Sequence, residues 1–370
     1  VTRIVLRLIA DDLTGALDSA AELTGLCGPV PVRWMLAGTM AGSLALDSGT
    51  REASRDAAVD RVRALAPALR GADIAFKKID SLLRGHVAAE LAACVESGYW
   101  RHVVMAPAFP AQGRLTRDGR VVVRQADGSC ATIAPDLPAL LEAAGLQPRR
   151  GDPTQPLPPG LTLFDAEDEA DLARIVDVAR QARGPVLWCG SGGLARALAG
   201  TTTAATSNGL QGPVLGLFGS DQAVTARQVA ACGDCAIEVP DGGTASAARV
   251  ARMVESKGAA MVRVALPGGI GRGEAARRVA AVMAGLVRRL LPPGTLIAAG
   301  GETLRAICDA LGASGLHAVG IVQPGVARSV MRGGAWDGVP VVSKSGAFGG
   351  DALWRDLLAA QAPKSRSIPA

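Results

Sequence analysis

Aromatic residues make up only 3% of the 370-residue chain, with a single Tyr. That scarcity argues against recognition of nucleic acid by base stacking. The surplus of positive charge is small, +5 at pH 7, and its basic residues are dispersed. Arg149-Arg150, Arg277-Arg278 and Arg288-Arg289 are only pairs, as expected of a solvated basic surface. No apolar run reaches the ~18 residues a membrane span needs. The opening "VTRIVLRLIADD" lacks a secretory cleavage pattern and meets acids early, so a cytoplasmic protein is expected. Seven cysteines are scattered, and "ACGDCA" holds the one close pair, Cys232 and Cys235. Without a second pair or a nearby His, it reads as reduced thiols rather than a zinc or redox site. No GxxxxGK[ST] loop occurs.

Hydrophobic residues, in contrast, supply 49% of the chain, enough for two sizeable cores. Strand-like runs alternate with alanine-rich helical patterns. "RIVLRLIA", "DIAFKKI", "HVVMAPA", "LTLFDA" and "PVLWCG" are strand candidates in the first half. "PVLGLFGS", "CAIEVP", "AMVRVAL", "GTLIAAGG", "AVGIVQPG" and "VPVVSKSGAFG" follow in the second. Helices are expected over 13–24, 54–70, 86–97, 168–183, 223–231, 244–257, 273–291 and 302–311. The alternation predicts an α/β fold with mainly parallel sheets. The small, polar stretch "GTTTAATSNGLQG" (200–212) is the expected linker between domains at 1–205 and 206–370.

In open α/β sheets ligands gather at the carboxyl ends of strands. "LIADDLTGALD" puts Asp11 and Asp12 at such an end, with Asp18 two helical turns later. An N-cap explains Asp12 alone. Several carboxylates together can orient polyol hydroxyls, hold Mg²⁺ or accept an alcohol proton. "FKKIDSLLRGHV" brings Lys77, Lys78, Asp80, Ser81 and Arg84 between a strand and a helix. "APAFPAQGRLTRDGR" reads as a structured loop around Arg114, whose guanidinium suits a carboxylate or phosphate. Acids for hydroxyls and cations for an anion together suit a small hydroxy acid.

The second half carries glycine-bearing strand-to-helix turns. "GLFGSDQAV" has Gly219-Ser220, and "LIAAGGETLRAICDALG" has Gly300, Gly301, Glu302 and Thr303. Glycine there lets backbone N–H groups approach phosphate oxygens, although a tight turn needs glycine anyway. "VVSKSGAFGG", with Lys344, Ser345 and Gly346, is either a phosphate-closing loop or a terminal hairpin. "PVLWCGSGGLARALA" is a further strand–glycine–helix unit without an evident role.

Taken in order, "IADDLTGALD", "KKIDSLLRG", "APAFPAQGR", "CGSGGLA", "GGETLRAICDALG" and "SKSGAFGG" resemble the four-carbon acid sugar kinase family. The family usually has Thr at the position of Leu82 and often Asn at that of Ala347. The resemblance implies an N-terminal sugar-acid domain, a C-terminal ATP domain and an active site in the interdomain cleft. It also implies phosphorylation, with Mg²⁺, of the 4-hydroxyl of D-threonate, D-erythronate or a 3-oxo-tetronate. Carried over by motif, Ser220, Gly300, Gly301, Glu302, Thr303 and Gly346 would meet the nucleotide, and Lys344 lies in the same stretch. Asp11, Asp12, Lys78, Asp80, Arg84 and Arg114 would meet the sugar acid. Asp12 and Asp80 are the candidate bases, and Asp11 and Asp18 would hold hydroxyls. The expected partners are small molecules, with neither nucleic acid nor membrane, and with room for a homo-oligomer.

Two other classes compete. A ligand-binding regulator would keep the pockets without turnover; the several candidate carboxylates weigh against it. A Rossmann-type dehydrogenase needs GxGxxG in its first βα turn, where this chain has "ADDLTG".

Overall fold

The computed structural model describes residues 3–35, 41–96, 98–125, 127–133, 136–202, 209–219 and 221–360. The chain forms two compact units. The first comprises Val1–Ala205 with Ala318–Pro324, and the second Thr206–His317 with Gly325–Ala370. Of the linker expected at 200–212, residues 203–208 lie outside the described residues.

The first unit contains strands β1 (Leu6–Ala10), β2 (Val30–Arg33), β3 (Leu44–Asp47), β4 (Ile74–Lys78), β5 (His102–Ala106), β6 (Arg114–Arg117), β7 (Arg120–Arg124), β8 (Cys130–Ile133), β9 (Pro148–Arg150), β10 (Gly160–Leu163) and β11 (Val186–Gly190). Its helices are α1 (Leu13–Glu22), α2 (Thr24–Cys27), α3 (Arg55–Leu65), α4 (Val87–Val95), α5 (Leu137–Ala143), α6 (Glu169–Arg180) and α7 (Gly192–Ala199). The order β2-β3-β1-β4-β11-β5-β10-β9 is parallel throughout. Strands covered on both faces need near-continuous apolar runs. Hence β1, β4 and β5 are buried along their whole length, and Ile9, Ala75, Val103 and Leu187 share a core with Val62 of α3 and Leu91 of α4. The register pairs Ala10 with Asp47 and Lys78, and Gly190 with Lys78 and Ala106. Four inter-strand pairings therefore end level with one another, so Asp11, Ser48, Ile79, Pro107 and Ser191 emerge along one edge.

The second unit contains β12 (Val214–Phe218), β13 (Ala236–Val239), β14 (Ala259–Val264), β15 (Thr295–Ala299), β17 (Val326–Arg332) and β18 (Pro340–Lys344), with β16 (Gly315–Gln323) running into the segment grouped with the first unit. Its helices are α8 (Ala223–Ala230), α9 (Thr244–Lys257), α10 (Arg272–Val287), α11 (Gly301–Leu311) and α12 (Leu353–Ala359). The order β13-β14-β12-β15-β18-β17 is parallel except for β17, which runs antiparallel to β18. Phe218, Ala299 and Lys344 lie level at the carboxyl ends.

Several boundaries differ from the sequence reading. The helix expected over 54–70 ends at Leu65 and tightens into a 3₁₀ turn at Ala66–Leu69, because Pro67 has no N–H to donate. The helix expected over 273–291 ends at Val287, ahead of Pro292, whose ring disfavours helical backbone at the residue before it. The stretch around Arg114 is a loop only to Gly113. Arg114 begins β6, the first strand of an antiparallel β6-β7-β8 sheet.

Candidate active site

The motif "DDLTG" divides its work among neighbouring residues. Asp12 caps α1, accepting from Gly15 N at 2.9 Å and Thr14 Oγ1 at 2.7 Å. Gly15 is small for a reason: a Cβ there would lie 2.6 Å from Asp12 Oδ1 and 3.2 Å from Lys78 Nζ. Asp11 faces the other way, onto a residue the sequence reading missed. Arg51 Nε and Nη2 donate to its two oxygens at 2.7 and 2.8 Å. The same guanidinium meets Asp12 Oδ2 at 2.7 Å and Asp80 Oδ1 at 3.6 Å. Arg51 is held over the end of β1 by its own loop: Ser48 N donates to Ala10 O, and Thr50 N and Arg51 N donate to Asp11 O. Its signal was present in "LALDSGTRE", a strand followed by a polar turn, but β3 is four residues long.

Adjacent lysines on β4 point to opposite faces, as a pleated strand requires. Lys77 is buried and pairs with Glu90 of α4 at 2.7 Å, while Glu90 also accepts from Thr50 Oγ1 at 2.7 Å. Lys78 turns to the α1 side, where its Nζ donates to Ile79 O at 2.8 Å. Beyond it, Asp80 organises the turn "DSLLRG". It accepts from Leu82 N, Arg84 N and both arms of Arg84, the shortest at 2.7 Å. Leu83 is forced to a φ of 60°, a left-handed conformation that side chains rarely adopt and that clusters at functional sites.

These contacts set the charges. Burial works to raise the Asp12 carboxyl, but Arg51, Lys78, Thr14 and Gly15 outweigh it and hold it below the ordinary value. Burial likewise opposes ionisation of Asp80, yet the Arg84 hydrogen bonds and the Arg51 charge hold it far below the carboxylate range. Burial, with the Asp12 charge adding, raises Asp11 against the pull of Arg51. Asp80, expected as a candidate base, accepts four hydrogen bonds from its own turn, and Arg84, expected to hold substrate, is paired with it through Nε and Nη2 while its side chain stays partly exposed.

Arg114 differs. It makes no ion pair among the described residues, and its buried Nε has no acceptor. Burial lowers its pKa, with Asp80 countering and Arg84 adding to the effect. With Lys78 set against Asp12, the positive charge left over at this edge is that of Arg114. Asp18 is not brought to the Arg51 cluster. It is buried on α1 against the start of α7, where a Cβ on Gly192 would collide with its Oδ2. The "CGSGG" run is explained by packing: Ser191 Oγ donates to Ala108 O at 2.6 Å, and a Cβ on Gly190 would lie 2.5 Å from Ala106 O.

In the second unit, Gly300 opens α11 with a φ of 103°, which glycine alone adopts readily. Gly301, Glu302 and Thr303 form the first turn, and a Cβ on Gly219 would strike Thr303 Oγ1, so β12 and α11 meet closely here. Ser220 lies outside the described residues. The loop after β18 is neither of the two alternatives by itself: β17 and β18 form an antiparallel pair, and 345–350 continues beyond it. Lys344, expected at the nucleotide, is buried and donates to Ser345 O at 3.0 Å and Gly346 O at 3.1 Å. Burial pushes its pKa down to about 7.

A family model described as a sugar-binding N-terminal domain matches residues 6–137, and one described as a nucleotide-binding C-terminal domain matches residues 215–353. A protein of Cupriavidus necator named D-threonate kinase is 34% identical, covering 97% of this chain and 99% of its own. One of the same name from Bordetella bronchiseptica is 30% identical, covering 97% of each. A crystal structure from Salmonella typhimurium LT2 shares the fold with a TM-score of 0.72 at 23% identity, over 95% of this chain and 98% of that one. The fold is thus that of a two-domain α/β protein pairing a sugar-binding with a nucleotide-binding module. The chain belongs to the four-carbon acid sugar kinase family.

Proposed function

We propose that the protein transfers the γ-phosphoryl group of ATP to the terminal 4-hydroxyl of a four-carbon sugar acid, with D-threonate the first candidate and D-erythronate or a 3-oxo-tetronate the alternatives. The observation that carries this reading is the division of charge at the strand ends of the first unit. Asp11, Asp12 and Asp80 are all paired with Arg51 or Arg84, and Arg114 is left without a carboxylate partner. Such an edge accepts a carboxylate bidentately while presenting Asp12 to a hydroxyl. The names of the relatives support the substrate class.

Asp12 is the base in this reading. Its side chain is more exposed than that of Asp80, 14% against 8%, and it carries fewer donors. A carboxylate of low pKa suits the role, because phosphoryl transfer asks mainly for positioning of the hydroxyl. Lys78, 3.2 Å from the space beside Gly15, stands next to Asp12 to offset developing charge. The second unit would take the nucleotide at Gly300–Thr303 and Gly346. Among the described residues no group of three or more His, Cys, Asp or Glu is placed to hold a metal. Mg²⁺ would then enter on the nucleotide phosphates, with Glu302 the acid in the first turn of α11.

The test is ADP release by the purified, folded protein with Mg-ATP and a panel of threonate, erythronate and 3-oxo-tetronate isomers. At least one acid should be turned over. No ADP release across the whole panel would overturn the reading.

A further inference from the structure

Loop 345–350 is held from one side by three buried side chains of the second unit. Lys344 Nζ donates to the carbonyls of Ser345 and Gly346, and Thr225 Oγ1 of α8 donates to Gly346 O at 2.9 Å. Gln228, one helical turn further along α8 and fully buried, turns the two N–H bonds of its Nε2 toward three successive carbonyls, all within hydrogen-bond distance. These are Phe348 O at 3.1 Å, Gly349 O at 3.1 Å and Gly350 O at 3.0 Å. Gln228 Oε1 is buried without a partner, so the amide is kept for its donors at a cost.

Peptide geometry converts this into a statement about the opposite face. Across a trans peptide the carbonyl of one residue and the N–H of the next point in opposite directions. Turning the carbonyls of 345, 346, 348, 349 and 350 toward Lys344, Thr225 and Gln228 turns the N–H groups of Gly346, Ala347, Gly349, Gly350 and Asp351 away. None of these five N–H groups has a protein acceptor among the described residues. The five N–H groups form two runs, 346–347 and 349–351, separated by Phe348 N, which donates to Ser345 O at 3.2 Å, and both runs are held on the side of the loop away from Gln228, where an anion can accept from them.

We propose that Gln228 is a positioning residue for polyphosphate binding, orienting the backbone of 345–351 so that its N–H groups face the nucleotide phosphates. The inference rests on the nucleotide reading of the second unit and adds the residue that shapes the loop. Gln228 touches no phosphate; it fixes which side of the loop the donors face. Lys344 and Thr225 hold the loop's first half; Gln228 holds the carbonyls of the second, while Arg227 pairs with the Asp351 carboxylate and Leu353 N donates to Gly350 O at its end.

The experiment is calorimetric titration of the full chain with ADP and, separately, with inorganic pyrophosphate, for wild type, Gln228→Met and Gln228→Glu. Methionine keeps the volume and removes the donors without adding charge; glutamate keeps the shape and reverses the polarity. Loss of one preorganised charge-assisted contact should weaken ADP binding about 10- to 100-fold in Gln228→Met, and further in Gln228→Glu. The KM for nucleotide should rise in proportion while the KM for the sugar acid stays unchanged, a split that a general packing defect would not give. Wild-type affinity for ADP in folded Gln228→Met would overturn the inference. Failure of wild type itself to bind ADP would instead overturn the nucleotide reading. If neither variant folds, hydrogen exchange on wild type decides: slower exchange of the amides at 346–351 on adding ADP supports the inference, and unchanged exchange overturns it.

Discussion

Arg51 is the residue on which the first unit's edge depends, and Arg51→Met tests that directly. The substitution retains the aliphatic stem and removes the guanidinium. Asp11 then loses both of its hydrogen bonds, at 2.7 and 2.8 Å. Asp12 loses one contact but keeps Thr14 and Gly15, and Asp80 keeps Arg84. The dominant cost is therefore one orphaned, buried carboxylate at Asp11. Removing one partner of a buried pair typically costs about 3–5 kcal/mol. At ~2–4 °C per kcal/mol for a unit of this size, the melting temperature at pH 7.5 should fall by roughly 6–20 °C. The pH dependence carries the physical argument. Without Arg51, burial raises the Asp11 carboxyl above its unfolded value. Such a group is fully tolerated below the unfolded value and costs stability progressively as pH rises through its folded one. The gap between variant and wild type should thus be widest near pH 8 and narrow toward pH 5. Adding Asp11→Asn to Arg51→Met should recover much of the loss at pH 8. Scanning calorimetry of both variants between pH 5 and 8 provides the measurement. A gap below 2 °C, or one that does not change with pH, would refute the hub assignment.

Arg114→Ala should raise the KM for the sugar acid about 10- to 100-fold, the loss of a charge-assisted pair of ~1.5–3 kcal/mol, and Arg114→Lys should recover little because an ammonium lacks the fork; unchanged steady-state constants would leave Arg114 an ordinary residue of β6. Asp12→Asn keeps a competent helix cap but loses the charge that meets Arg51, so the melting temperature should fall by several degrees while kcat of the folded protein falls about 10²- to 10⁴-fold. Retained kcat would remove Asp12 from the chemistry. Glu22 is buried on α1, and burial, with Asp18 adding, pushes its pKa up to about 8 against Arg196 at 3.9 Å. It keeps its proton in the folded state, so the wild type loses stability as pH rises from about 4.5 to about 8. Glu22→Gln should therefore gain on wild type across that window, by at most about 4 kcal/mol, and parallel melting curves would sink this account.

The alternating architecture was legible because buried parallel strands and amphipathic helices impose their own periods on the residues. The apolar run ending at Ala10 announces β1, and the pattern over 244–257 coincides with α9. The motif positions were legible for a related reason. Lys78 and Lys344 end strands and Asp11, Asp12, Asp80 and Gly300 lie one or two residues beyond them, and a parallel sheet brings such positions to one edge of each unit. Short or irregular elements escaped: β2 and β3 span four residues each, too few for a period to declare itself, and β6–β8 hid in a stretch rich in Gly and Arg. The division of labour among the site residues was decided by tertiary structure alone. Whether a carboxylate is a base, a cap or a clamp depends on which donors reach it. Asp80 is filled by Arg84 from four residues away, but Asp11 is filled by Arg51 from forty residues away. Lys77 and Lys78 are identical in sequence terms, and only the α4 and α1 helices on opposite faces of β4 separate a buried ion pair from a site cation. The sequence by itself determined which chemical groups arrive at the strand ends. Which of them are neutralised, and which face a ligand, was set by long-range contacts that no local pattern encodes.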